Sequence, residues 1–397
     1  MKKLLQINVT ANWGSTGKIA EQIGQLVMRQ GWESYIAYGR MMNPSKSKLI
    51  KIGSQWDVYL HYAMSRFFDM EGLMSQHATR KFLREIEQIK PDIIHLHNIH
   101  DHYLNYRILF EYLKAKEIPV VWTQHDQWAT TGHCAFNMNG CIKWKTECHD
   151  CPARAKYSLD RSCRNYHIKK RLFTNLYSLT IIPVSEWLGR EIKQSFLNNC
   201  PMRIIKNGVD VNVFSPQTET INERYGLKNN KIILGVATVW DKGKRLEDYI
   251  KLSSLLSGEW IIVLVGTMDE RDLPGNIIHI PRTQNQSELA LLYSGAHVLL
   301  SLSASETFGL TIAEAMACGT PAIVYNNTAQ PELITDETGF VVNDGDINEV
   351  YRCINRIDKK GRCFYRRTCR DRAELYLDKN RCYKKYLELY EDLIHEK

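Results

Sequence analysis

The 397-residue chain is too long for one ordinary hydrophobic core and suits two domains of roughly 150 to 200 residues each. Its hydrophobic content of 44% and charged content of 24% are near globular averages, which argues against a disordered or fibrous chain. No run approaches the roughly 18 apolar residues of a membrane span, and the net charge of +8 is moderate for this length.

Taken in chain order, the N-terminus carries two lysines, but its apolar run ends at Asn8 and Thr10, too early for a secretory signal. A cytoplasmic protein is expected, with peripheral attachment at the inner face of the plasma membrane left open. Eleven cysteines, an odd number, then read as mostly reduced and structural, Cys200, Cys318 and Cys353 among them. A strand at Leu4–Val9 leads through Asn12-Trp-Gly14-Ser-Thr-Gly17-Lys18 into an amphipathic helix at Lys18–Met28. A Walker A loop would need glycine in place of Asn12 and serine or threonine in place of Ile19, so an ATPase is disfavoured. Taken alone, the loop is equally an ordinary strand-to-helix turn.

Short β-branched runs follow at Tyr35–Ala37, Ile93–Leu96, Val120–Thr123 and Ile181–Val184. Their alternation with helix-period segments predicts a parallel sheet with crossover helices. Between them, Trp56–Phe68 mixes apolar, aromatic and basic residues, as a core helix or an interfacial one would. His95 and His97 share one strand face, His95 reading as core, while His100, Asp101 and His102 follow the strand as acceptor-side candidates. His125 stands at a strand's C-terminal end, where ligands of open α/β sheets gather.

The segment from Cys134 to Phe173 holds nine Lys and Arg against three Asp and Glu, a local basicity that fits an anionic partner such as an anionic membrane. It opens with Cys134, Cys141, Cys148 and Cys151, beside His133 and His149. Four thiols in this stretch can hold a structural zinc tetrahedrally, although only the last pair has common zinc-finger spacing; reduced or redox-labile cysteines are the alternative. Such a closed site would not be the active site.

After a strand at Arg203–Ile205, turn chemistry from Asn207 to Pro216 marks a seam, and a second α/β series begins. Its strands are read at Ile232–Ala237, Trp260–Val265, Ile277–Ile280, His297–Leu302, Ala322–Tyr325 and Phe340–Val342, with one long helical stretch from about Arg366 to His395. Ligand specificity is expected in loops such as Met268–Pro274. Ser303-Ala-Ser-Glu306-Thr-Phe308-Gly309-Leu310, continuing to Glu314, follows a buried strand and turns into a helix near Gly309. Free N–H groups at that helix end suit a diphosphate. Glu306 lies before the helix and Glu314 eight residues on, about two turns inside it, each able to accept from hydroxyl groups.

This segment resembles the E-x7-E signature of retaining family-4 glycosyltransferases, the group 1 enzymes of surface-polysaccharide synthesis. Lys206–Pro216 is similar to that family's interdomain motif, and Pro331-Glu332-Leu-Ile with Thr338-Gly-Phe-Val-Val342 to its closing motif. The resemblance implies an α/β GT-B architecture: two Rossmann-like domains with parallel sheets facing across an interdomain cleft. Residues 1–207 would form the acceptor-side domain, with a helix at about 378–397 crossing back, and residues 208–377 the donor domain. By the same resemblance Glu306 holds the donor sugar, Glu314 the ribose, and the backbone of Phe308, Gly309 and Leu310 the phosphates. Lys244, with Lys242 as runner-up, neutralises the departing diphosphate. The family's arginine before that lysine is replaced by Thr238 and Val239, a departure that can shift its charge to Arg245. Gly14 and Gly17 match the family's glycine loop, and His125 its sugar-side histidine. No cofactor is required for catalysis.

The expected function is transfer of a sugar from a nucleotide-diphosphate donor to a saccharide or lipid-linked oligosaccharide acceptor, with retention. A sugar-nucleotide epimerase, a sugar phosphorylase and a noncatalytic nucleotide-sugar-binding protein are the rivals on two Rossmann-like lobes. A nucleic-acid partner is not expected, because the basic stretch lacks interleaved aromatic residues or a recognisable motif.

Overall fold

The computed structural model describes every residue except 137–139, 155–157, 177, 218–224, 226, 228–229 and 396–397. The chain divides into two compact units, one of Met1–Lys206 with Tyr383–Lys397, the other of Asn207–Cys382.

In the first unit, strands β1 (Lys3–Asn8), β2 (Glu33–Tyr38), β3 (Lys48–Lys51), β4 (Ile93–Leu96), β5 (Val120–Gln124) and β6 (Leu179–Pro183) form one parallel sheet in the order β3-β2-β1-β4-β5-β6. The central strands β4 and β5 are buried throughout, as strands covered by crossover helices must be. Helices α1 (Gly14–Arg29), α2 (Gln55–Phe68), α3 (Gln76–Ile89), α4 (Tyr106–Lys116), α5 (Ser162–Phe173) and α6 (Glu186–Lys193) supply the cover. Strand β3, Lys-Leu-Ile-Lys, escapes sequence reading because two apolar residues flanked by lysines suit a charged sheet edge, not a buried strand.

Arg203–Ile205 is not a strand. It runs beside β6 with a single bridge from Ile181 to Met202 and a few backbone bonds, among them Ile205 N–H to the Pro183 carbonyl at 3.2 Å.

The second unit repeats the plan with β7 (Lys231–Val239), β8 (Trp260–Thr267), β9 (Ile277–Ile280), β10 (Val298–Ser301), β11 (Ala322–Tyr325) and β12 (Gly339–Val342), in the order β12-β11-β10-β7-β8-β9. Counted from its own first strand this is the same 3-2-1-4-5-6 order, so each sheet reverses direction once, between β1 and β4 and between β7 and β10. Ligands of such sheets bind beyond the strand C-termini at that reversal. Helices α7 (Leu246–Ser253), α8 (Gln286–Gly295), α9 (Leu310–Ala317), α10 (Ile347–Lys360), α11 (Arg362–Tyr376) and α12 (Lys379–His395) complete the described elements.

The C-terminal stretch expected as one helix is two. It breaks at Leu377–Asp378, where Val209 N–H donates to the Leu377 carbonyl and Lys379 N–H to the Val209 carbonyl, and Lys379 pairs with Asp210. Gly208 permits this approach, since a Cβ there would lie 2.3 Å from the Lys379 Cα. The division between the units falls within α12: its first turn belongs to the second unit and Tyr383 onward to the first, where Tyr386 and Tyr390 hydrogen-bond Thr123 and His95.

Candidate active site

The second unit places two loops side by side at its sheet reversal. After β7, Asp241 accepts the Lys244 N–H at 3.1 Å and so caps a 3₁₀ turn at Lys242–Lys244. After β10, Ala304 N–H donates to the Gly243 carbonyl at 2.8 Å and ties the second loop to that turn. As a result Lys244 Nζ meets Glu306 Oε1 at 2.5 Å and stands 3.4 Å from Ser303 Oγ. Lys242 is exposed, so Lys244 is the lysine that reaches Glu306. Arg245, offered as a second phosphate charge, pairs with Asp344 at 2.7 Å and Asp248 at 3.7 Å.

Sequence reading missed the groups that hold this loop. Glu306 N–H donates to Thr328 Oγ1 (2.9 Å), and its carbonyl accepts from Ala329 N–H (3.1 Å). Buried Gln330 bridges the Ser303 carbonyl and Ser301 Oγ, and Asn327 also donates to the Ser303 carbonyl. The signal was present: a polar run, Asn326 to Gln330, directly follows a buried strand.

Gly309 sits at φ +94°, a conformation that glycine adopts without a Cβ penalty, and starts α9 at Leu310 beside buried Phe308. Because the helix begins there, Glu314 lies in its second turn, not two turns inside. Glu314 Oε2 accepts from the Tyr293 hydroxyl at 2.9 Å; burial, reinforced by that carboxylate, raises the Tyr293 pKa well above its ordinary value, so the phenol stays a donor. The loop after β8, together with His279 and Pro281, lines a cavity of about 710 Å³ that includes Met268 to Leu273.

In the first unit the polar groups gather beyond β1, β4 and β5. Buried Gln6 donates from Nε2 to the Ala20 carbonyl (2.8 Å), which turns its carbonyl oxygen toward His97 Nε2 (3.1 Å); His97 Nδ1 lies 3.0 Å from His125 Nε2. An amide oxygen can only accept, so the network assigns His97 the Nε2–H tautomer and makes His125 Nε2–H the donor to His97. Burial lowers the His97 pKa well below the usual range and His125 to about 4, so both rings are neutral near pH 7. His95 is core: its nitrogens hydrogen-bond Thr123 at 2.7 Å and Tyr390 at 2.6 Å.

His100 differs. Burial alone would lower its pKa, but the Asp126 carboxylate 2.8 Å from Nε2, with Glu71 and Asp101 nearby, outweighs that and lifts it to about 9. Asp126 is held ionised by the same pair and by the Trp128 N–H. Asp101 and His102 are consecutive non-glycine residues at φ +76° and +71°, a strained turn; His102 packs edge-on against His61 and Tyr62. Gly14 opens α1 at an exposed position, whereas Gly17 is buried, and a Cβ on it would lie 2.6 Å from Thr10 Oγ1. Cys134, Cys141, Cys148 and Cys151 line a separate void in this unit. Among the described residues no helix is long and apolar enough to cross a membrane.

Two identically ordered Rossmann-like sheets, with a lysine–glutamate pair at the reversal of the second, define a two-domain GT-B transferase fold. The sucrose-phosphate synthase of Thermosynechococcus elongatus shares it with a TM-score of 0.75 at 17% identity, each chain covered fully. HepE of Anabaena, solved in complex with UDP-glucose, shares it with a TM-score of 0.67 at 14% identity over 99% of this chain and all of that one. The profile of Glycosyltransferase Family 4 matches residues 20–213, and that of Glycosyl transferases group 1 matches residues 217–374. The putative colanic acid biosynthesis glycosyl transferase WcaC of Escherichia coli (strain K12) is 24% identical over 364 residues, 87% of this chain and 88% of that one. The chain belongs to the group 1, family-4 type of glycosyltransferases. The epimerase and phosphorylase alternatives gain no support from these likenesses.

Proposed function

We propose that the protein moves a sugar from a nucleotide-diphosphate donor to an acceptor hydroxyl with retention of anomeric configuration. The observation that carries this reading is the contact of Lys244 with Glu306 at the sheet reversal, beside the helix opened by Gly309. Without donor, the two charges satisfy each other. With donor, Lys244 and the α9 N-terminus stabilise the negative charge that develops on the leaving diphosphate. Glu306 turns to accept from sugar hydroxyls, and Glu314, already oriented by Tyr293, accepts from the ribose. The acceptor attacks on the face the diphosphate leaves, and the leaving phosphate takes its proton.

A lipid-linked oligosaccharide of surface-polysaccharide assembly is the acceptor class we favour, with peripheral contact at an anionic membrane. Support comes from α2, whose Trp56 is 81% exposed and whose Tyr59, Leu60, Tyr62, Phe67 and Phe68 also face solvent. The Phe67 carbonyl accepts from Leu159 N–H at 3.0 Å, which fastens this aromatic face to the basic segment.

The test is a panel of UDP-, GDP-, ADP- and dTDP-sugars, scored for binding and slow hydrolysis, followed by NMR of the product's anomeric proton. One donor consumed, with hydrolysis lost in both Glu306→Ala and Lys244→Ala, is the expected result. Binding of no nucleotide sugar, or variants that behave as wild type, would overturn the reading.

A further inference from the structure

All eleven cysteines are free thiols, and four of them converge. Cys134, Cys141, Cys148 and Cys151 line one small void of about 20 Å³, closed by Trp144, Thr131 and Pro152. Nothing in the proposed sugar transfer uses them. The brackets of sequence around them are shaped for convergence: Gly140, just before Cys141, has φ +67°, and Asp150, between Cys148 and Cys151, has φ +41°. Lys143 Nζ donates to the carbonyls of both His149 and Asp150 and pins that turn from outside.

One distance already matches a metal site, and the ligand atoms of His133, Cys134 and Cys151 all lie within 4.8 Å of one another. Zinc–sulfur bonds of about 2.3 Å set tetrahedral sulfurs about 3.8 Å apart. Cys134 Sγ and Cys151 Sγ are 3.9 Å apart, outside disulfide bonding and at that tetrahedral edge. The surroundings supply the outer partners that thiolate sites need. Gly132 N–H donates to Cys148 Sγ at 3.2 Å. His133 sets Nδ1 against the Asp69 carboxylate and Nε2 3.2 Å from Cys151 Sγ. Cys151 N–H is itself tied to Asp160 at 2.7 Å. Cys148 packs with Trp144 and Tyr166, which keeps one side of the void dry. Buried Lys169 lies close by, its Nζ donating to the Trp128 and Thr131 carbonyls.

From this geometry we infer a structural Zn²⁺ site in the first unit, with Cys134, Cys141, Cys148 and Cys151 as the four ligands and His133 as outer partner of Cys151. Loading is a plain exchange: four thiols and one Zn²⁺ give a tetrathiolate centre and release four protons, with no change of oxidation state. All four positions of the metal are filled by protein, so the site shapes its loop and leaves no place for substrate. The metal joins Cys134, ten residues after β5, to Cys151, eleven residues before α5, and so fixes the connection between those two elements.

The test is metal analysis of the full chain purified under reducing conditions in zinc-supplemented buffer. About one equivalent of zinc should survive dialysis against a weak chelator. Cobalt reconstitution of the stripped protein should give the intense visible bands of tetrahedral coordination and a sulfur-to-cobalt charge-transfer band of the four-sulfur type. Cys148→Ser and Cys151→Ser should fall to background zinc, while Cys363→Ser, an exposed cysteine outside the cluster, keeps the full equivalent. Zinc-free wild type with an octahedral cobalt spectrum overturns the site, as does a Cys134–Cys151 disulfide in protein purified anaerobically. A three-sulfur, one-nitrogen spectrum that is lost in His133→Ala overturns the ligand set. Should the serine variants not fold, wild-type zinc content and the cobalt spectrum decide the matter alone.

Discussion

Changing Glu306 to glutamine should separate two quantities that ordinarily move together, affinity for the nucleotide diphosphate and turnover of the sugar donor. In the free protein Lys244 is engaged by Glu306, so a diphosphate must displace that carboxylate before it can use the lysine. The side chains of the pair are 29% and 22% exposed, and such a partly solvated pair contributes about 0.5 to 1 kcal/mol. Glutamine keeps the shape and removes the charge, so the free diphosphate should bind roughly two- to fivefold more tightly. Donor turnover should move the other way. Loss of one charge-assisted hydrogen bond to the sugar, about 1.5 to 3 kcal/mol, lowers kcat/KM by about ten- to a hundredfold. Calorimetric titration with the nucleoside diphosphate of the donor found in the panel, beside hydrolysis of that donor, reads both. If diphosphate affinity falls in parallel with turnover, Glu306 is not competing for Lys244, and the reasoning from their contact is refuted.

Four further outcomes follow from the geometry. His100→Ala leaves Asp126 buried without its partner and should cost about 3 to 5 kcal/mol in a urea melt of the first unit. The same melts against pH should show greatest stability at about 6.5, falling on one side toward 9 and on the other toward 4. His100, whose folded pKa of about 9 lies above its unfolded value, contributes fully below about 6.5 and loses that contribution as pH rises through 9. His125, folded near 4, penalises the native state as pH falls below about 6.5 toward 4. A flat profile across both flanks contradicts these assignments. In sedimentation with vesicles rich in phosphatidylglycerol, Trp56→Ser combined with Phe67→Ser should release most of the bound protein, while binding to neutral vesicles stays weak throughout; equal pelleting of variant and wild type argues against α2 as the contact. Gly208→Ala forces a Cβ against the Lys379 backbone and should lower the second unit's stability by about 1 to 3 kcal/mol, read as an earlier calorimetric transition.

What the sequence disclosed depended on how local the cause was. Ile93–Leu96 and Ala322–Tyr325 were legible to the residue, because a buried parallel strand is a short apolar run bounded by polar turns. Lys48–Lys51 was not, since at a sheet edge the same backbone carries lysines. The break at Leu377–Asp378 was hidden for another reason: nothing in that heptad opposes a helix, and the interruption comes from Val209, well over a hundred residues earlier. In the candidate site, the family resemblance pointed to Glu306, Glu314 and Lys244, but not to the contact between Lys244 and Glu306. It follows from β7 and β10 being neighbours, a fact of strand order. The pairing of His100 with Asp126 likewise needs β4 beside β5, and Gln6 reaches His97 only because β1 lies next to β4.

The hydrogen-bonded series from Ala20 through Gln6 and His97 to His125 has a consequence for proton traffic. A Grotthuss wire needs every member to receive a proton on one side and release one on the other. The Gln6 amide cannot do so: its oxygen only accepts, and its N–H faces a backbone carbonyl. The series is therefore a dead end, earthed on a helix carbonyl. Protons cannot drain through it, and neither imidazole can exchange tautomer without breaking the Gln6 contact. His125 consequently behaves as a dipole of fixed polarity. Whatever approaches it meets one unchanging pattern of donor and acceptor, set from within the sheet.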